Sequence, residues 1–302
     1  MQNTYTHDKV TWIDLENPTR EEIVNLMEQH HLHPLVAEEL ISPTVRPRVD
    51  VYPNSLYLIL HFPTHKSGDR HAVHEIDFVI TKDAIITVHY DTIDALHDFS
   101  RVFEVNSILD KHHMGDHSGF VLYHMLRTLY DKLADEMDDM TGNLNAIEIG
   151  TFGGNESEMV NEISKTNRVL LEFKRALRFH DKVTQSLESA GREFFGDRFG
   201  FYLRSITGDF SRVYSILESH RETLEELRKT NDSMLTTKNN DTIRRLTIMS
   251  FVTFPLSLIA GIFGMNTVMP FVSSTNSFYF IVGAMVLTSS IMLAVFWFKK
   301  WL

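Results

Sequence analysis

Three sets of side chains in this sequence have the types and spacing to act on a metal cation, and none can do thiol chemistry, because the 302 residues include no cysteine. The first set runs through an apolar stretch. Thr247, Ser250 and Ser257, with Ile243 and Phe254 among them and Gly261 and Gly264 following, share one helical face, and Gly264-Met265-Asn266 closes the run. Polar groups in such a setting either hydrogen-bond to neighbouring helices or line a wet path. The second set is carboxylate: Asp131, Asp135, Glu136, Asp138, Asp139 and Glu148 stand against the single Lys132. They form either a solvated helix face or a surface that concentrates divalent cations. Third, His30, His31 and His33, and His112, His113 and His117, are two clusters whose imidazoles could hold zinc, nickel or cobalt, although adjacent loop histidines are more often solvated.

The polar stripe needs a membrane span to position it. Residues 246–265 and 278–298 are uncharged runs of 20 and 21 residues, each long enough at 1.5 Å per residue to cross the hydrocarbon of a bilayer. Charge divides the chain at the same place. The formal balance is −11, yet every acid lies at or before Asp241, and only Arg244, Arg245, Lys299 and Lys300 follow it. The preceding part therefore holds 40 acids against 25 bases, which argues against a broadly basic nucleic-acid binder. All four late bases flank the pair of spans and none lies in the connecting loop 266–277, so both termini are expected in the cytoplasm. No charged segment followed by a short apolar stretch opens the sequence, so a signal peptide is not expected.

The cytoplasmic part changes character along its length. Residues 19–28 read as a short helix with an acidic first turn, and 55–62, 75–81 and 84–90 read as strands, the last two joined by a Lys82-Asp83 turn. An α/β domain is expected there. Beyond Ser118 the period becomes helical: residues 120–149 carry an apolar stripe, Gly150 to Asn155 is a break, and residues 156–189 are expected as one second helix, antiparallel to the first. A third helix should start near Gly200 and continue into the membrane. Leu203, Ile206, Phe210, Val213, Leu217, His220, Leu224, Leu227, Asn231 and Met234 form its heptad-like seam.

The end of the first span, PLSLIAGIFGMN (255–266), together with NDTIRRLTI (240–248) and FKKWL (298–302), resembles the CorA family of magnesium channels and transporters. So do WIDLENPTREE (12–22), HPLVAEEL (33–40) and RPRVDVY (46–52), so the resemblance covers nearly the whole chain. It implies a funnel-shaped homopentamer in a cell membrane, carrying magnesium with cobalt or nickel as further cargo. Its parts would be a cytoplasmic α/β domain (1–117), an acidic helical hairpin (118–198), a stalk helix (199–245) and a two-helix transmembrane pore domain (246–302). Gly264, Met265 and Asn266 would form the selectivity filter, with Asn266 touching the hydrated ion. Asn240, Ile243, Leu246, Thr247, Ser250, Phe254 and Ser257 would line the pore, with Ile243, Leu246 and Phe254 as its apolar constriction. Lys299 and Lys300 would lie in a basic collar.

Two departures from the family pattern bear on function. Met269-Pro270 is followed by Phe271-Val272-Ser273-Ser274 rather than by an acid, so cation capture at the outer mouth should be weaker. The family's regulatory cation sites use cytoplasmic aspartates, for which Asp77, Asp83, Asp91, Asp209 and the acids at 138–139 are candidates. A zinc-transporting branch commonly has Gly-Ile-Asn, and Met265 favours magnesium. A membrane-anchored sensor or scaffold is the alternative from another class. An enzyme is not expected, since no phosphate-binding loop, nucleophile elbow or Cys-His constellation is found.

Overall fold

Alternating apolar residues in the N-terminal third build a single six-stranded sheet in the computed structural model, which describes residues 2–7, 9–44, 46–64, 72–108, 117–265 and 276–299. The strands are β1 (Gln2–His7), β2 (Val10–Glu16), β3 (Arg48–Val51), β4 (Leu56–Thr64), β5 (Ala72–Ile80) and β6 (Ala84–His89), in the order β1-β2-β6-β5-β4-β3. Neighbours are antiparallel except β2 and β6, which are joined by a long excursion of the chain, as a parallel pair must be. Successive side chains point to opposite faces. Ile13, Leu15, Tyr57, Ile59, Val79 and Ile86 take one face, covered by Ile23 and Leu26 of α1 (Arg20–His30) and Val36 of α2 (Pro34–Glu39). Trp12, Leu58, Leu60, Ile76, Phe78 and Ile85 take the other, in a core shared with α3 (Asp94–Ile108) and α4 (Ser118–Phe152).

The expected strands and first helix are present. Thr19 caps α1 and Glu22 returns the bond, a reciprocal box that satisfies two orphan amides. The turn at Lys82-Asp83 is closed by Thr81 N–H to the Ala84 carbonyl at 2.9 Å. β1, β2, β3, α2 and α3 were not among the expected elements.

One expected helix divides in two. Residues 156–189 are α5 (Glu156–Leu177) and the start of α6 (His180–Phe195), separated at Arg178-Phe179. No Gly or Pro marks the break. His180 provides the reason: its ring is fully buried, with Nδ1 2.9 Å from the Tyr130 hydroxyl and Nε2 2.9 Å from the His61 carbonyl. These bonds fix the start of α6, which lies against β3 and β4.

The last helices are α7 (Gly200–Phe263), which contains Pro255 without interruption, and α8 (Asn276–Phe298). Leu203, Ile206, Phe210, Val213, Leu217, His220, Leu224, Leu227 and Asn231 of the seam are all buried. The chain forms two compact units, Met1–Arg228 and Lys229–Leu302.

Candidate functional site

At 3.6 residues per turn, Asn240, Ile243, Thr247, Ser250, Phe254, Ser257, Gly261 and Gly264 stay on one side of α7, with Leu246 at its edge. Ile243, Leu246 and Phe254 are 60%, 59% and 74% exposed within the chain. Apart from Thr247, which is half-buried on the stripe, the better covered positions, Ile248, Val252, Pro255, Leu256 and Ile259, fall on the opposite side. There α8 packs: Leu256 shares a groove of about 410 Å³ with Val282, Met285, Val286, Ser289 and Ser290, and the rings of Phe251 and Phe296 meet at 6.4 Å. The polar stripe is therefore directed away from the one helix that packs on this part of α7 among the described residues.

Two hydroxyls on the stripe are oriented by the helix itself. Thr247 Oγ1 donates to the Ile243 carbonyl at 2.8 Å and Ser250 Oγ to the Leu246 carbonyl at 2.9 Å. With their hydrogens spent on the preceding turn, they present lone pairs outward. Water bound to a cation points its hydrogens away from the ion, so such acceptors match a hydrated cation. Gly264 ends the helix by donating to the Ala260 carbonyl at 2.8 Å, and a Cβ there would lie 2.9 Å from that same oxygen. Glycine is required at this exit by contact with backbone, a signal the sequence carried only as part of a triplet. Lys299 is exposed at the end of α8. Asn266, the loop with Met269-Pro270, and Lys300 lie outside the described residues.

The candidate regulatory acids separate by burial. Asp77 is fully buried on β5, so it cannot bridge subunits through cations. Asp91 sits 2.9 Å from Nδ1 of His74. Asp83 is exposed at its turn, and Asp131, Asp135, Asp138 and Asp139 form an exposed row on α4. Asp131 already meets Arg212 at 3.0 Å. Asp209 is part-buried beside it, with one carboxylate oxygen unpartnered among the described residues. Burial, and next the charge of Asp131, push its carboxyl up, against Arg127 and Arg212.

The described members of the histidine clusters are not gathered into a metal site. Among the described residues no three His, Asp or Glu side chains are arranged to hold a metal. His33 caps α2, its Nδ1 accepting from the Leu35 amide at 3.3 Å, and stacks on Tyr52. His117 caps α4 in the same way through the Gly119 amide at 3.2 Å and stacks on Phe195. Both rings are committed to helix starts, where a side-chain acceptor satisfies an orphan amide. His112 and His113 lie outside the described residues.

Residues 7–300 match the family described as CorA-like Mg2+ transporter protein. The cobalt/magnesium transport protein CorA of Thermotoga maritima is 23% identical over 295 residues, covering 97% of this chain and 83% of its own. The complete structure of the CorA magnesium transporter from Methanocaldococcus jannaschii superposes with a TM-score of 0.84 at 19% identity, over 99% of this chain and 93% of that one. The ZntB cytoplasmic domain from Vibrio parahaemolyticus superposes at 0.62 and 15% identity, over 77% and 89%. At these identities the solved structures speak for the fold alone. An α/β unit, a long helix whose end is apolar enough to cross a bilayer, a second such helix after it, and a family match over almost the full length lead to one conclusion: the chain belongs to the CorA-like family of Mg2+ transporter proteins.

Proposed function

We propose that the protein is a divalent-cation channel of the cell membrane whose principal cargo is magnesium, with cobalt and nickel as further substrates. The observation that carries this reading is the stripe on α7 turned away from α8, ending at the Gly264 exit. Five copies placed with their stripes inward would enclose a path lined by Asn240, Thr247, Ser250 and Ser257, narrowed by Ile243, Leu246 and Phe254. Magnesium gives up its water reluctantly, so a ring of Asn266 amides beside Gly264 and Met265 selects it through hydrogen bonds to bound water. Carboxylates in that place would hold the ion more tightly and slow its exit. The apolar ring closes the path by dewetting. Lys299 and Lys300 form the basic collar, and both termini lie in the cytoplasm.

The four-part division at residues 117, 198 and 245 belongs to this reading, as does control by cytoplasmic magnesium. The exposed acids of α4, with Asp83 and Asp209, crowd negative charge around a ring, and cations held between subunits relieve that repulsion. Binding shifts the equilibrium toward closure because the closed ring binds cations more tightly. Protease cleavage before Asn240 should be slower with magnesium than with chelator. Equal cleavage, with flux insensitive to internal magnesium, assigns the acids to a solvated face.

The deciding experiment is flux into liposomes holding the purified protein, with magnesium, cobalt, nickel and zinc in parallel, alongside native mass measurement of the oligomer. Magnesium uptake by a pentamer is the expected result. Zinc uptake in preference to magnesium would move the protein to the zinc-transporting branch, and no flux of any ion would leave an anchored scaffold.

A further inference from the structure

A cavity of about 520 Å³ lies where the end of α1, the start of β2, the β3–β4 and β5–β6 turns and the end of α6 meet, and ion conduction makes no use of it. Its walls are fixed by backbone bonds. The Thr11 amide donates to the Asp83 carbonyl at 2.9 Å, the Thr81 amide to the Ala84 carbonyl at 2.9 Å and the Tyr52 amide to the Ser55 carbonyl at 2.8 Å. His31 ends α1 in the left-handed conformation, at φ 51°.

Six side chains that carry hydrogen-bond donors line the cavity: Lys9, Gln29, His30, His31, Asn54 and Lys82. None of these side chains makes a hydrogen bond or an ion pair among the described residues. They differ in this from His33 and His117, whose rings are committed to helix starts, and from Lys132, Lys165 and Lys174, which have found carboxylates. In a part of the chain where 40 acids stand against 25 bases, the lining sets two lysines and two histidines against one acid, Asp83. Phe194 completes a wall with a ring half-buried against the core. Cationic and amide donors suit phosphate oxygens, an aromatic ring suits the face of a planar heterocycle, and the volume admits both together.

We propose that this cavity is a nucleotide site, in which Lys9 and Lys82 hold the phosphates with His30 and His31 as further donors, and Phe194 carries the base.

The amides of Gln29 and Asn54 are then available to the edge of the base, where paired donors and acceptors are read. Burial, and next the neighbouring His31, hold the His30 imidazole below the ordinary histidine value, so His30 acts at neutral pH as an uncharged donor and the lysines are the side chains to test. Asp83 repels phosphate. Its removal should therefore tighten an anion site, whereas it would weaken a cation site.

Equilibrium dialysis of ADP against the full-length protein in a neutral maltoside detergent, at neutral pH and low salt with EDTA present, tests the proposal. One saturable site per chain is expected. Lys9→Gln and Lys82→Gln should each weaken it roughly tenfold, the weight of one charge-assisted hydrogen bond, and Asp83→Asn should tighten it a few-fold. Phe194→Leu, which keeps an apolar wall but removes the ring face, should weaken ADP about fivefold and leave inorganic pyrophosphate unaffected. Absence of saturable ADP binding overturns the proposal, as does wild-type affinity in both lysine variants. Weaker binding in Asp83→Asn, or pyrophosphate bound as tightly as ADP, overturns it as well.

Discussion

One helix, α7, buries its two ends by different means. Between Leu203 and Leu217 its seam residues are at most 4% exposed, enclosed by side chains of the same chain, and each such burial contributes about 1.5–3 kcal/mol. Beyond Asn240 equally apolar residues stay uncovered, and of the described membrane-side residues only Ile248 is buried. The first region is complete within one protomer. The second needs lipid on one side and, in our reading, four further stripes on the other. A substitution in one region should thus leave the other's readout untouched, which makes the comparison testable.

The largest separation is expected at the exit. Asn266→Ala should abolish selective magnesium flux in liposomes while the oligomer and the melting of the N-terminal unit stay unchanged. Magnesium uptake at the parent rate in that variant would remove the amide ring from the mechanism. Next come Ile243→Asn and Leu246→Asn, which hydrate the apolar constriction and should raise basal leak several-fold. Reduced conductance in both would place the constriction elsewhere.

His180→Ala probes the opposite region with a smaller effect, a loss of about 2–4 kcal/mol from the N-terminal unit, since it opens a cavity and strips the Tyr130 hydroxyl and His61 carbonyl of their partner. Its pH dependence is specific. Burial holds the His180 imidazole down to about 3, so below the ordinary histidine value the unfolded chain takes up a proton that the folded one refuses. Wild-type stability should fall as pH drops from about 6.5 toward 3, by about 1.4 kcal/mol per unit from this residue. Thermal melts of the variant should lack that component. An unchanged acid slope would show that the ring is solvated in the folded protein.

The legible parts of the sequence were those with a repeating physical pattern. The membrane runs, the seam of α7 and the strands β4, β5 and β6 each rest on apolar patterning over several residues. β1, β2 and α3 were missed because their partly polar residues are fixed by neighbours distant in sequence: Trp12, for example, is set by a 2.9 Å bond to Thr87. The division of α5 from α6 was missed for the same reason, since no local breaker marks it and the cause lies on α4 and β4. His33 and His117 were offered as metal ligands on adjacency alone, whereas the fold uses both as helix caps.

The sequence by itself determined the membrane spans, the acidic N-terminal part and the polar stripe, because hydropathy, charge and helical period are properties of neighbouring residues. Tertiary structure decided which side of α7 is free, because that depends on where α8 packs. It also decided that Asp77 is a buried acid rather than a surface one, because burial is fixed by the helices that cover a strand, and a strand's own letters do not state what covers it.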